Sequence, residues 1–190
     1  MVLIEATDKQ TDVEKTDVKK TGIRLFAFDI DGVLTDGRLY YGASGEQAGL
    51  KVFHVHDGMG LSLMKKAGIK LVAISGRGAP ATQCRLEELG VDHIHLGVKD
   101  KAAVLADILQ QEKILVSEAV FMGDDLIDLG AMNMAGLAIA PSNAVAEVKE
   151  LADVITELHG GMGAVREAAH YVLRHNNIEP LSLLSRDVKQ

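Results

Sequence analysis

The stretch IRLFAFDIDGVLT, at residues 23–35, leads from a short apolar run into two aspartates and a glycine. The run at 23–28 is typical of a buried β-strand. Side chains alternate along an extended chain, so Asp29 and Asp31 tend to point to the same side. Two carboxylates this close repel each other unless a cation lies between them, and a site made of oxygen ligands favours Mg²⁺. The stretch therefore predicts a strand that ends in a magnesium site, with a capping aspartate followed by a turn aspartate as the simpler alternative.

The same kind of apolar run recurs four times, and stretches that can form helices separate the runs. The later predicted strands are 71–74, 93–96, 119–122 and 137–140. Asp57 is predicted to cap a helix that runs to Ala67, and Pro80 lies in the first turn of a helix that Gly90 ends. Asp100 is predicted to cap a helix at 101–111, and Asp124 or Asp125 to open one at 126–135. This alternation predicts an α/β fold, a Rossmann-like open parallel sheet with helices on both faces. The segment 37–55 breaks the alternation and is predicted to form a small inserted β-hairpin.

Length and composition predict one domain and exclude several classes of protein. The 190 residues, of which 47% are hydrophobic, suit a domain at 21–175 with tails at 1–20 and 176–190. No apolar stretch approaches the ~20 residues of a membrane-spanning helix, and the charged N-terminal tail does not resemble a targeting signal. A net charge of −7 with 4% aromatic residues argues against nucleic-acid binding. The single cysteine, Cys84, fits a reducing compartment, so we expect a cytoplasmic protein.

A second acidic cluster, GDDLID at 123–128, follows the predicted strand 119–122. Taken alone, Asp124 and Asp125 are equally well explained as helix caps, because a helix N-terminus favours acidic residues. Open α/β sheets place their ligands at the carboxyl ends of the strands. Two acidic clusters at such ends favour one shared crevice that holds a cation.

Two further features suit a phosphate group. Ser75-Gly76-Arg77-Gly78 follows one strand and precedes a helix, where a hydroxyl and backbone N–H groups can cradle an anion. Lys101 begins another helix, although the helix dipole disfavours a cation there. A phosphate or a buried aspartate would explain that position; Lys99 is the alternative lysine, and a solvated surface lysine is the simplest interpretation of either.

These motifs, in this order, resemble the haloacid dehalogenase superfamily of phosphohydrolases. The resemblance implies that Asp29 is the nucleophile and that Asp31 is the general acid and base. It implies that Mg²⁺ is held by Asp29, the backbone carbonyl of Asp31, and Asp124, with Asp125 in support. Ser75 and Lys101 would bind the oxygens of the transferring phosphoryl group.

Three further segments, at 36–41, 53–60 and 160–167, resemble the capless 3-deoxy-D-manno-octulosonate 8-phosphate phosphatases of lipopolysaccharide precursor biosynthesis. The chain has no room for a cap domain, and in that family the hairpins assemble a homotetramer. The resemblance implies a hydrolase that releases inorganic phosphate from the phosphorylated sugar acid, with Arg166 as a candidate residue supplied to a neighbouring site. The implied substrate contacts are His54, Val55, His56, Asp57, Gly58, Ser62, Gly76, Arg77, Arg85 and Lys101.

Some positions depart from the family pattern and leave other functions open. The family commonly has arginine where this chain has His56, and often a basic residue where it has Ser62 and Met162. These departures leave fewer cationic side chains to bind a sugar acid. A nine-carbon sugar-acid 9-phosphate is therefore an alternative substrate, and a phosphatase with a broad range of substrates is another alternative. A phospho-accepting receiver-like domain or a regulatory domain is the alternative outside the enzymes.

Overall fold

The computed structural model describes residues 22–41, 43 and 50–184, which form a parallel sheet covered by helices on both faces. The predicted N-terminal tail, 1–20, lies outside the described residues. The strands are β1 Leu25–Phe28, β2 Lys70–Ser75, β3 His93–Leu96, β4 Ala119–Met122, β5 Leu137–Ala140 and β6 Val154–Ile155. The helices are α1 Val55–Lys66, α2 Pro80–Glu88, α3 Lys101–Glu112, α4 Leu129–Met134, α5 Ala146–Leu151 and α6 Ala164–His175. Short 3₁₀ turns lie at Val116–Glu118, Leu126–Asp128 and Pro180–Leu183.

The sheet has the order β3-β2-β1-β4-β5-β6, which puts the first strand in the middle. β1 pairs in parallel with β2 on one side and β4 on the other, with Phe28 opposite Ala73 and Met122. The backbone N–H of Asp29 then donates to Met122 O at 3.0 Å. The loops that follow β1, β2 and β4 therefore emerge side by side at one edge of the sheet, as the sequence predicted.

Two apolar cores lie on opposite faces of this sheet, because neighbouring residues of a strand point to opposite sides. Phe26 and Phe28 belong to one core, together with residues of α1 and α6. Leu25 and Ala27 belong to the other, together with residues of α3, α4 and α5. Among the described residues, no helix combines the length and apolarity that crossing a membrane requires.

The predicted hairpin at 37–55 differs from the structure in two ways. Its arms, 37–41 and 50–54, form no continuous strand pair among the described residues, and only Tyr41 makes a β-bridge; the intervening turn lies mostly outside those residues. Val55 is the first residue of α1, so the helix begins two residues before the predicted cap at Asp57. The actual cap is His54, whose ring accepts a hydrogen bond from the His56 N–H.

Other differences lie in the C-terminal half. The predicted helix at 126–135 is a 3₁₀ turn followed by the short α4, while α5 and β6 were not predicted. Residues 176–184, placed by the sequence in a tail, pack on the domain: Ile178, Leu183 and Leu184 contact the first core. The Asn176 side chain also bonds the backbone N–H and carbonyl of Ile23, at 2.7 and 2.8 Å. The domain therefore continues to residue 184.

Candidate active site

Lys101 and Asp29 form the buried centre of the site. Asp29 follows β1 and is 4% exposed, while Lys101 opens α3 and is 3% exposed. Lys101 Nζ lies 2.8 Å from Asp29 Oδ1 and 2.7 Å from Asp128 Oδ1. Burial opposes a charge on Lys101, but attraction from both carboxylates outweighs it and raises the pKa of the ammonium group. The position that looked unfavourable in the sequence is explained, because the lysine neutralises two buried acids.

Asp128 is a site residue that the sequence analysis did not assign. Its Oδ1 contacts Lys101, and its Oδ2 accepts hydrogen bonds from the N–H groups of Asp124 and Asp125, at 3.0 and 3.2 Å. A Cβ at position 123 would lie 2.4 Å from the Asp128 Cβ, so only glycine fits there. Asp128 thereby shapes the loop that carries Asp124. In the sequence, only the position of Asp128 in the GDDLID motif could have indicated a role. Its contact with Lys101 joins residues that are far apart in the chain and forms only on folding.

The carboxylates of Asp29, Asp124 and Asp128 offer oxygens that lie within 4.8 Å of one another. Among the described residues, Asp124 Oδ1 is buried without a hydrogen-bond partner, whereas Asp29 Oδ1 forms an ion pair with Lys101. Burial, with repulsion from Asp128, raises the pKa of Asp29 to about 6. Burial, with repulsion from Asp29 and Asp128, raises that of Asp124 to about 8. Such a pair of oxygens fits a hard divalent cation.

The four predicted metal ligands do not all come together. Asp29 and Asp124 belong to the cluster, whereas the carboxylates of Asp31 and Asp125 do not. Asp125 instead accepts a hydrogen bond from the Leu126 N–H at 2.7 Å and caps the 3₁₀ turn. Asp31 forms an ion pair with Lys51. Asp128 joins the cluster through its carboxylate, whereas the backbone carbonyl of Asp31 and the supporting role of Asp125 stay predictions. Both residues line the same cavity as Asp29 and Asp124.

The loop after β1 is packed tightly against the second acidic loop. Gly32 has φ of +96°, and a Cβ there would lie 2.0 Å from Asp124 Oδ2. On its other side, a Cβ on Gly160 would lie 1.8 Å from the Gly32 carbonyl oxygen. The Asn143 side chain donates to that carbonyl at 3.1 Å and accepts from the Gly160 N–H at 2.7 Å. The glycine-rich loop at 160–163 thus supports the loop that carries Asp29 and Asp31.

Two cavities open beside these carboxylates. The first, of about 240 Å³, is lined by Asp29, Asp31, Ser75, Gly76, Arg77, Asp124 and Asp125, among others. Ser75 is 2% exposed, and its Oγ accepts a hydrogen bond from the Arg77 N–H at 3.3 Å. The second cavity, of about 570 Å³, is lined by Lys51, Tyr41 and the N-terminus of α2, and shares Leu39 and Arg77 with the first. A small anion fits the first cavity, with room beside it for a larger group.

The remaining predicted substrate contacts lie on α1 and α2. His54 and His56 are neighbours, with ring centroids 4.8 Å apart, and Val55 is exposed; Ser62 is half-buried further along α1. A Cβ on Gly58 would lie 2.6 Å from the Arg85 guanidinium, so Arg85 packs against this helix.

Asp57 and Arg166 make contacts within the chain. Asp57 is fully buried and accepts hydrogen bonds from the N–H groups of Gly163 and Arg166, at 3.2 and 2.9 Å. Burial raises the pKa of Asp57 although these bonds oppose the shift. Asp57 therefore caps α6 rather than lining either cavity. The Arg166 side chain contacts His170 of the same helix at 2.8 Å.

The parallel sheet, the buried aspartate after its central strand and the lysine that meets it define a haloacid dehalogenase-like hydrolase, and the family model of that description matches residues 94–169. The chain belongs to the 3-deoxy-D-manno-octulosonate 8-phosphate phosphatases within this class. It is 36% identical to that phosphatase from Haemophilus influenzae over 82% of this chain and 86% of the relative. The Escherichia coli K12 enzyme is 37% identical over 82% and 81%.

Solved structures agree with this assignment. The Moraxella catarrhalis 3-deoxy-D-manno-octulosonate 8-phosphate phosphatase, in complex with magnesium, phosphate and KDO, superposes with a TM-score of 0.77 at 39% identity. That comparison covers 82% of this chain and 88% of the other. The cobalt-bound H. influenzae enzyme gives 0.78 at 34% identity and covers 86% and 92%. The chain is accordingly a phosphoric monoester hydrolase.

Proposed function

We propose that this protein hydrolyses 3-deoxy-D-manno-octulosonate 8-phosphate to the free sugar acid and inorganic phosphate, with Mg²⁺ as its cofactor. The observation that carries the proposal is the position of the buried Asp29. This residue follows the central strand β1 and lies between Lys101 and the unpartnered oxygen of Asp124. A carboxylate that meets a lysine, next to an acid suited to a metal ion and at the floor of a small cavity, is placed to attack a phosphorus atom. The activity named for the relatives supplies the substrate.

The chemistry assigns one task to each side chain. An oxygen of Asp29 attacks phosphorus while the bond to the sugar oxygen breaks, and Asp31 gives that oxygen a proton. Asp31 then takes a proton from water as the water attacks phosphorus and releases Asp29. Lys101 and the Ser75 hydroxyl bind the phosphoryl oxygens, where negative charge accumulates.

Asp29 and Asp124 are the side chains that would hold Mg²⁺, and the backbone carbonyl of Asp31 is proposed as a further ligand. When bound, the ion neutralises negative charge on the phosphoryl oxygens. Asp128 has both carboxylate oxygens engaged with Lys101 and with backbone N–H groups. It therefore positions the other groups, and Asp125 supports the same loop through its turn.

The body of the sugar acid would occupy the second cavity, next to Arg77. A guanidinium group is well suited to a carboxylate, because it offers two parallel donors. His54, His56, Ser62 and Arg85 remain proposed contacts, and Asp57 acts through the position of α6. Because His56 and Ser62 replace basic residues of the family pattern, a nine-carbon sugar-acid 9-phosphate is the second candidate substrate.

A homotetramer assembled through 37–55 is also proposed, in the cytoplasm. Support comes from apolar side chains that the described arms expose: Leu39 by 39%, Tyr40 by 40%, Tyr41 by 62%, Leu50 by 69% and Val52 by 58%. An apolar patch of this kind is typical of a protein interface. Arg166 stays a candidate for contact with a neighbouring site.

The test is a phosphate-release screen over phosphorylated sugars and sugar acids, with and without Mg²⁺. We expect release that needs Mg²⁺, the highest kcat/KM for the eight-carbon substrate, and a loss of at least about a thousandfold in Asp29→Asn. Asp107→Asn, the same change on the exposed side of α3, is the matched control. A preference for the nine-carbon substrate would select the second candidate, and equal rates on all sugars would indicate a broad-range phosphatase. A long-lived phosphoprotein without phosphate release would refute the enzyme.

A further inference from the structure

Lys51, which lies outside the family segments 36–41 and 53–60, reaches the proposed proton donor Asp31. Lys51 Nζ forms an ion pair with Asp31 Oδ1, and the two side chains are 11% and 23% exposed. Attraction between charges is stronger when they are shielded from water. The Thr35 hydroxyl donates to the Ile30 carbonyl at 3.2 Å and lies 3.5 Å from the same Asp31 oxygen, so Lys51 makes the stronger contact with that oxygen.

The backbone of residues 50–54 directs Lys51 inward. Leu50 and Val52 are exposed by 69% and 58%, whereas Phe53 packs against the first core. This is the alternation of an extended segment, in which every second side chain points to the same side. With Phe53 anchored in the core, Lys51 is presented to Asp31 by the local structure.

We propose that Lys51 is a positioning residue that holds Oδ1 of Asp31, so that the other oxygen of the carboxyl group, when it carries the proton, faces the leaving oxygen. The inference rests on the proposed function, because it needs Asp31 as the general acid. When the bond between phosphorus and a sugar oxygen breaks, the departing alkoxide is strongly basic and must receive a proton from Asp31. A p-nitrophenolate ion is weakly basic and leaves without one. A misplaced Asp31 should therefore slow the hydrolysis of a sugar phosphate more than that of an aryl phosphate.

The experiment compares kcat/KM of Lys51→Met and wild type on the preferred sugar-acid phosphate and on p-nitrophenyl phosphate. This parameter reports steps up to the first irreversible one, here the departure of the alcohol. We expect Lys51→Met to lower it at least about tenfold for the sugar phosphate and less than about threefold for the aryl phosphate. Lys51→Arg, which keeps the cation, should restore most of the loss. Lys70→Met removes another partly exposed ion pair, with Asp92 and Glu112, and should change neither value.

Several outcomes would overturn the inference. Equal losses on both substrates would indicate a general structural effect, and a higher KM with unchanged kcat would make Lys51 a substrate contact. Unchanged values would show that the ion pair has no role in turnover. If Lys51→Met fails to fold, Lys51→Gln undergoes the same comparison. In each of these cases, phosphate release by wild type but not by Asp29→Asn would leave the proposed function intact. A failure of the Lys51 proposal is therefore distinguishable from a failure of the proposed function.

Discussion

At the scale of single residues, the site concentrates buried charge. Asp29, Lys101 and Asp128 are each at most 4% exposed, and a buried charge is costly unless it is paired. Lys101 meets both carboxylates, while Asp124 keeps a buried oxygen without a partner in the described part of the chain. The site therefore has an excess of negative charge, which a site for a divalent cation requires.

This imbalance predicts how Mg²⁺ stabilises the protein at different pH. The pKa values of Asp29 and Asp124 are raised from 3.8 to about 6 and about 8. For a carboxyl group with a raised folded-state pKa, the contribution to stability is full below about pH 4 and is lost as pH rises through the folded-state value. Metal-free protein should lose stability from about pH 4 to about pH 8. Mg²⁺ should restore it, because the cation pairs with the ionised forms.

Thermal unfolding with excess Mg²⁺ or with a chelator measures the effect. At about one hundred times the dissociation constant, binding adds ~2.7 kcal/mol, which is about 5–10 °C for a domain of this size. We expect this increase near pH 8 and a much smaller one near pH 5. An increase that is the same at both pH values, or larger at the lower one, would contradict a site built from these carboxyl groups.

At the scale of elements, much of the fold was predictable because its strands are short, buried and bounded by clear turn residues. β3, β4 and β5 have the predicted bounds, and α2 and α3 begin at the predicted residues. β6 was missed because a strand of two residues has no periodicity, and α5 because six residues give too little pattern. The arms 37–41 and 50–54 show no continuous pairing among the described residues, and most of the turn predicted to join them lies outside those residues.

The part of the site that lies in local sequence motifs could be predicted, and the part that depends on long-range contacts could not. Asp29, Ser75 and Lys101 were singled out because each one lies at the boundary of a regular element: Asp29 follows β1, Ser75 ends β2 and Lys101 begins α3. Lys51 and Asn143 were not assigned, since Lys51 meets Asp31 across 20 residues and Asn143 meets Gly32 across 111. Contacts of this kind depend on the folded chain, and no spacing rule in the sequence reports them.

The 160–163 loop packs against the loop that carries Asp29 and Asp31. A single methyl group added at Gly160 should therefore disturb both stability and activity. Gly160→Ala places a Cβ 1.8 Å from the Gly32 carbonyl oxygen, and backbone cannot yield as a flexible side chain does. We expect a loss of stability of about 2 kcal/mol or more, together with a lower kcat. Urea unfolding and kinetics on the purified variant measure both.

Gly130→Ala is the matched control for this change. A Cβ there would meet the Ala102 Cβ at 3.5 Å, which is an ordinary contact between α4 and α3. Alanine in a helix is more favourable than glycine by up to about 1 kcal/mol, so this variant should be as stable as wild type or more so. Equal stability and activity in Gly160→Ala and Gly130→Ala would mean that the two loops do not depend on each other.

At the scale of the whole molecule, the small domain leaves its catalytic cavity beside an exposed apolar arm. Lys51 lies between exposed Leu50 and Val52, so the proposed assembly surface and the lysine that holds the proton donor share one segment. We expect wild type to sediment as a tetramer at micromolar concentration and Val52→Asp to form smaller species, because burying a charge in an apolar interface is costly. A wild-type monomer under these conditions would refute the assembly.

The central claim is that Asp29 carries the phosphoryl group during turnover. Its most direct test uses Asp31→Asn, which should slow hydrolysis of the intermediate, mixed with p-nitrophenyl phosphate and Mg²⁺ and then quenched in acid. Mass analysis of the resulting peptides should place a phosphoryl group on Asp29, and the group should be absent from a parallel Asp29→Asn sample. A phosphoryl group on another residue, or full phosphate release by Asp29→Asn without any intermediate, would contradict the account.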